Sequence, residues 1–138
     1  LKNHIKKEIK EKNLDNVLLL GGLDYDEVSA LLLMSYGFVF PSQKEGHPCA
    51  LIEAMGAGLP VVASDVIGNR DVIRHGDTGF LFPVGDYMKM ADIVEMLVRD
   101  ENLARRTGEN ARRFVQEEYS YEAWIKREYE FYRRVTGQ

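Results

Sequence analysis

Glu45 and Glu53 are two carboxylates separated by seven residues, with Gly46, His47, Pro48 and Cys49 among those between them. They lie in the stretch Pro41-Ser42-Gln43-Lys44-Glu45-Gly46-His47-Pro48-Cys49-Ala50-Leu51-Ile52-Glu53-Ala54-Met55-Gly56-Ala57-Gly58. Gly46 lets the backbone approach a ligand closely. Pro48 at the first helical position is preset in φ and removes an N–H that would have no partner. The amides of Cys49, Ala50 and Leu51 then point out of a helix start, where the dipole favours an anion, and phosphate is the natural ligand. A carboxylate beside a phosphate is electrostatically costly, so the two glutamates need another task. Carboxylates accept paired hydrogen bonds from vicinal hydroxyls. Amides flanked by two carboxylates therefore suit a nucleotide-sugar, with Glu53 on ribose and Glu45 on the sugar. The same residues also fit an ordinary turn from strand to helix, with Glu45 solvated in the loop and Glu53 on an exposed helix face. The residues alone leave both readings open.

Other reactive side chains carry less. His47 could act as a general base, but an isolated loop histidine is more often a surface residue. His4 and His75 have no suggestive partner in the sequence. Cys49 at a helix start could have a lowered pKa, yet no His or Asp is placed to help it, so a small buried side chain is the simpler reading. As the single cysteine it excludes an internal disulfide and a multi-thiolate metal site, and it suits a reducing compartment. Asp24-Tyr25-Asp26 matches the Asp-x-Asp pattern of metal-dependent sugar-nucleotide enzymes, and helix capping explains the same residues fully.

The elements that must hold the focal turn follow from apolar patterning. Leu1 to Lys12 reads as a helix with Leu1, Ile5 and Ile9 on one stripe and lysines around it, stopped at Asn13. Val17 to Leu20 reads as a strand buried on both faces and ended by Gly21-Gly22. Asp24 or Asp26 caps a helix to about Ser35 that buries Val28, Leu31, Leu32 and Met34. Phe38 to Phe40 is a second strand, stopped by Pro41, so Glu45 to Pro48 lies just past its carboxyl end, where open parallel sheets bind ligands. Val61 to Ala63 is a third strand, Arg70 to Arg74 a short helix, and Thr78 to Phe82 a fourth strand. Gly85-Asp86 starts a helix in which Met90, Ile93, Val94, Leu97 and Val98 share a face. The last third is helical, with Asn102 and Ser120 as caps and Leu103, Ala104, Ala111, Phe114 and Val115 as buried positions. Tyr121, Trp124, Ile125, Tyr129 and Tyr132 form an aromatic stripe that reads as a packing face. Alternating short strands and helices make a parallel α/β layer. The 138 residues are enough for one domain with a single core. A hydrophobic content of 45% with 29% charged residues is ordinary for a globular protein. The net charge of −4 argues against a general nucleic-acid or anionic-membrane binder. No apolar run approaches the roughly 20 residues of a membrane span.

The focal stretch resembles the Glu-x7-Glu motif of retaining family 4 glycosyltransferases of the GT-B fold. The likeness continues through Glu53 to Asp65, Gly68-Asn69-Arg70-Asp71-Val72-Ile73 and Gly76 to Pro83, and covers nearly the whole chain. It implies a Rossmann-like parallel sheet with flanking helices, part of the C-terminal, donor-binding domain of a GT-B enzyme. It also implies retaining transfer of a sugar from a nucleotide-diphosphate sugar to an acceptor hydroxyl, on a carbohydrate or lipid-linked sugar, with no metal and no cofactor. Glu45 would contact the donor sugar and Glu53 the ribose hydroxyls. Amides around Gly46, His47, Ala50 and Leu51 would hold sugar and phosphate, and Gly22 and Leu23 would lie near the base. The protein would mainly position reactants and stabilise charge, while the leaving phosphate deprotonates the acceptor.

Departures from the family pattern shape the remaining expectations. His47 stands where a larger apolar residue is common, and Ile67 where Gly is common. Residues 1–138 match the donor-binding domain without its first strands, without the Arg and Lys that clamp the diphosphate, and without the acceptor domain. The chain alone is therefore expected to bind donor weakly and transfer nothing. Val17 to Leu20 and Phe38 to Phe40 would either pair directly or leave open edges that invite self-association. The resemblance suggests a cytoplasmic enzyme, with membrane association of the parent an option. Two other classes fit less of the sequence: an epimerase or hydrolase of GT-B architecture acting on a nucleotide-sugar, and a non-enzymatic module binding through Tyr121 to Tyr132.

Overall fold

A computed structural model of the chain describes residues 2–137. Leu1, expected on the apolar stripe of the first helix, lies outside the described residues. The backbone divides into two compact units, residues 1–31 and 32–138.

In the first unit, helix α1 (Lys2–Glu11) carries the surface pairs Lys7–Glu11 at 3.5 Å and Lys12–Glu8 at 2.8 Å. Asn13 ends it as expected, and the geometry says why. Its φ is +50°, the Leu14 N–H donates to the Ile9 carbonyl, and the Asn13 N–H donates to the Lys10 carbonyl. That is a Schellman stop with asparagine in the left-handed position. Val17 to Leu20 is not a strand. A strand exists only through its ladder partner, and among the described residues nothing pairs with this run. Its side chains stay exposed, Leu18 by 78%. The helix α2 (Tyr25–Met34) opens on a reciprocal capping box: the Glu27 N–H donates to Asp24 and the Asp24 N–H donates to Glu27, both at 2.9 Å. Capping thus accounts for Asp24. Leu31, expected inside, is exposed; the last residues of α2, from Leu32 on, belong to the second unit, where Met34 is exposed against expectation and Leu32 packs against that unit's own core.

The second unit is an α/β layer around a parallel sheet of β1 (Phe38–Phe40), β2 (Val61–Ser64) and β3 (Phe80–Phe82) in that order. β2 is buried on both faces and separates two apolar clusters. Val61 and Ala63 pack with Leu51, Ala54 and Met55 of α3 (Cys49–Gly56) and Ala111 of α6 (Glu101–Glu118). Val62, Phe80 and Phe82 pack with Ile93 and Leu97 of α5 (Tyr87–Arg99). The continuous Val-Val-Ala run is the signature of such a two-sided strand. Gly108 of α6 seats on the Gly58–Leu59 turn, where a Cβ would lie 2.1 Å from the Gly58 carbonyl oxygen.

Several boundaries move. The short helix α4 runs Ile67–Arg70, earlier than Arg70 to Arg74, because the Asn69 and Arg70 amides already close on the Val66 carbonyl. β3 begins at Phe80, after Thr78 has turned its hydroxyl to accept the Arg74 N–H. Asp100, not Asn102, caps α6, accepting the Leu103 N–H at 2.9 Å. Asp86 caps α5, and Val98 lies off its buried face. Ser120 caps α7 (Tyr121–Thr136) as expected, accepting the Ala123 N–H. The aromatic stripe of α7 is uncovered among the described residues, with Trp124, Tyr129 and Tyr132 all more than half exposed. No described helix is long and apolar enough to cross a membrane.

Candidate functional site

The focal turn begins where β1 ends at Phe40 and closes at the first turn of α3. Pro48 is the N-cap, one position earlier than expected, with φ −83° and ψ 72° and no side-chain bond to the helix. This changes the count of available amides. The Cys49 N–H donates to the His47 carbonyl and the Leu51 N–H to the Pro48 carbonyl, both at 3.0 Å. Of the three amides expected to point outward, only that of Ala50 has no bonding partner among the described residues. A proline cap has no side-chain oxygen to spare, so the tight turn satisfies two orphan donors with backbone instead.

Burial along α3 sorts its faces. Leu51, Ala54 and Met55 are fully buried, whereas Cys49, Ala50 and Glu53 are exposed. Residues three and four apart share a helix face, so the Glu53 side chain stands on the same exposed side of α3 as that of Ala50. Cys49 is an exposed free thiol rather than a small buried side chain. Glu45 is half-buried, and Gly46 and His47 are exposed. The structure thus gathers Glu45, Gly46, His47, Ala50, Leu51 and Glu53 on one turn of the second unit. Gly22 and Leu23 belong to the first unit, Gly22 exposed and Leu23 half-buried, just before the Asp24 capping box.

The imidazole of His47 faces Tyr119, with ring centroids 6.3 Å apart, at the corner between α6 and α7. Tyr119 in turn meets Phe114 edge-on at 6.0 Å, and the Arg74 guanidinium lies 4.7 Å from the centre of the Phe114 ring. Burial pushes the Tyr119 phenol above its ordinary pKa, partly opposed by Arg127. His47 is therefore braced by an aromatic corner, although its position in a loop gave no sign of it.

Behind the turn lies a polar network that sequence reasoning missed. The Ser64 hydroxyl, at the carboxyl end of β2, donates to the Ser42 carbonyl. The Asn69 side-chain amide, fully buried, donates to the Ser64 carbonyl at 2.9 Å. Its Oδ1 and the buried Ser42 hydroxyl oxygen have no hydrogen-bond partner among the described residues. Gly68 closes on the turn itself: a Cβ there would lie 2.8 Å from the Glu45 carbonyl oxygen. The available signal was a polar residue ending an otherwise apolar strand, followed by Gly68-Asn69. Beside this network, Arg70 donates to Asp65 at 2.5 Å, and the guanidinium holds the Asp65 carboxyl below the usual carboxylate range against the opposing effect of burial.

Residues 1–114 match the model of the family described as glycosyl transferases group 1. The chain is 44% identical over 108 residues to an N-acetyl-alpha-D-glucosaminyl L-malate synthase of Bacillus anthracis, covering 78% of this chain and 28% of that protein. Among solved structures, a sucrose-phosphate synthase from Thermosynechococcus elongatus superposes with a TM-score of 0.86 at 29% identity, over 98% of this chain and 34% of the other. A mutant of S. aureus TarM, crystallised with fondaparinux, alpha-GlcNAc-glycerol and UDP, superposes with a TM-score of 0.80 at 34% identity, over 91% of this chain and 26% of the other. The chain thus spans about a third or less of the length of these three proteins.

Proposed function

The chain belongs to the glycosyl transferases group 1 family, with a sheet of the GT-B type, and from that membership we propose that residues 41–53 are the turn that binds a nucleotide-diphosphate sugar. One observation carries the reading: α3, the helix that follows β1, opens with the Ala50 amide unmatched and carries Glu53 exposed one turn further on. The Ala50 amide and the dipole of α3 take the diphosphate. Glu53 accepts the ribose hydroxyls, and Glu45, with the Gly46 and His47 backbone, takes the sugar. The Leu51 contribution is the fully buried side chain that anchors the first turn of α3. Gly22 and Leu23 are proposed near the base.

Residues 1–138 are read as the donor-binding part of a retaining, metal-independent transferase. In the reaction the bond from the anomeric carbon to the leaving phosphate oxygen breaks. A bond to the acceptor hydroxyl oxygen forms on the same face, and the hydroxyl proton passes to the leaving phosphate. The acceptor is a carbohydrate or a lipid-linked sugar. UDP and alpha-GlcNAc-glycerol in the TarM crystal, and the N-acetylglucosaminyl group in the name of the Bacillus relative, support UDP-N-acetylglucosamine as the first donor to try. On its own the chain binds donor weakly, since an amide and a helix dipole offer a diphosphate only about 0.3–1 kcal/mol per dipole contact.

Calorimetry with UDP tests the site. Glu53→Ala should weaken binding by about tenfold or more, as expected for a hydrogen bond to a charged group. Binding that survives the substitution unchanged contradicts the assignment. Sugar transfer from UDP-N-acetylglucosamine to any acceptor by this chain alone contradicts the reading of it as the donor-binding part only.

A further inference from the structure

We propose that Asn69 is a positioning residue for Glu45, acting through Ser64, Ser42 and the seat that Gly68 gives the Glu45–Gly46 backbone; the inference rests on the donor-site reading above. Asn69 is fully buried and Ser64 is 1% exposed. Polar groups taken out of water need partners, and here the partners tie three segments together. The last ladder pair between the first two strands is Phe40 with Ala63. One residue later the Ser64 hydroxyl reaches across to the Ser42 carbonyl and extends the join beyond the sheet. Asn69 then fastens α4 to the same point, donating to the Ser64 carbonyl at 2.9 Å.

With α4 fastened there, Gly68 lies directly over the turn. A Cβ at this position would sit 2.8 Å from the Glu45 carbonyl oxygen and 2.9 Å from that of Gly46. Contacts this close leave no room for a side chain, so glycine is what lets the helix backbone rest on the loop. The segment bearing Glu45 is held at Ser42 from one side and at the Glu45–Gly46 peptide from the other. Glu53 depends on none of this. It rides on α3, which Leu51, Ala54 and Met55 anchor in the core. The two carboxylates are thus presented by different supports, and loosening the Ser64–Asn69 clamp should release Glu45 while leaving Glu53 in place.

The test compares Asn69→Leu, which keeps the approximate side-chain shape and removes the donor, and Ser64→Ala, which removes only the hydroxyl. Glu45→Ala marks loss of the carboxylate, and Val62→Ala is a core truncation outside the clamp. Two quantities are read in the 138-residue chain. The first is the backbone order parameter of Gly46 by nitrogen-15 relaxation; it should fall from a rigid value of about 0.85 towards 0.6 in both clamp variants and stay put in Val62→Ala. The second is the ratio of UDP-N-acetylglucosamine affinity to UDP affinity. It should shrink by about tenfold in the clamp variants, as in Glu45→Ala, with UDP affinity itself retained.

A Gly46 that stays rigid in both clamp variants overturns the proposal. So does a ratio that falls no further than in Val62→Ala. If Glu45→Ala leaves the ratio unchanged, the donor-site reading has failed instead, and the role of Asn69 falls with it.

Discussion

Asp65 and Arg70 form an ion pair one residue past the Ser64 hydroxyl, and its pH dependence has a definite sign. The guanidinium lowers the folded-state pKa of Asp65 through a hydrogen bond. The stabilisation is therefore present above the unfolded carboxylate value of about 3.9 and is lost as pH falls through the folded value. Both side chains are more than a third exposed, so solvent screening keeps the effect small. Urea denaturation at a series of pH values should show Asp65→Asn flattening the acid limb below about pH 4, with little change in slope at neutral pH. At this scale the sequence was most informative where chemistry depends on residue type and spacing. Glu45 lies half-buried in the turn after β1 and Glu53 exposed on α3, and their roles belong to the proposed function. The sequence was least informative about backbone partners and buried contacts. Nothing in the sequence says that the Cys49 and Leu51 amides are spent on His47 and Pro48, nor that Asn69 reaches Ser64. Those bonds depend on where the chain folds back on itself.

Elements were legible when their neighbours are supplied by the chain itself. β1 and β2 stand where their β-branched and aromatic runs place them, and β3 starts only two residues late. Val17 to Leu20 has the same apolar character and is no strand, because local pattern cannot reveal whether a ladder partner exists. Cap positions shift for a related reason: Asp100 ends α5 and begins α6, which leaves Asn102 inside the first turn. Among the described glycines, Gly108 of α6 makes the closest approach to its neighbour, the turn before β2. The Gly108 hydrogen faces the Gly58 carbonyl so closely that a methyl group would meet backbone rather than a movable side chain. Gly108→Ala should therefore destabilise the chain by about 1–3 kcal/mol, despite the higher helix propensity of alanine. A thermal melt reads this directly, and an unchanged or raised midpoint would contradict the packing described.

At the scale of the molecule, the parallel sheet has three strands among the described residues, and there β1 and β3 each pair on one side only. Val39 in β1 is 41% exposed, and Leu18 stands well exposed in the unpaired run. Unpaired edges template pairing with other chains, so the expectation of self-association becomes a specific prediction. Sedimentation velocity should show concentration-dependent association of the chain that Val39→Lys weakens, since charge on an edge strand opposes pairing. A strictly monomeric chain at all concentrations would contradict it. Family and fold were readable at this scale because several spaced motifs agree along the chain, and the match over residues 1–114 bears that out. The division into two compact units was not readable, since it reflects contact density rather than pattern. The most direct test of the donor site is an NMR titration of the nitrogen-15-labelled chain with UDP-N-acetylglucosamine. Shifts should concentrate on the amides of Gly46, His47, Ala50 and Glu53 and require about tenfold more ligand or more in Glu53→Ala; shifts centred elsewhere, or an unchanged titration in that variant, contradict the donor site.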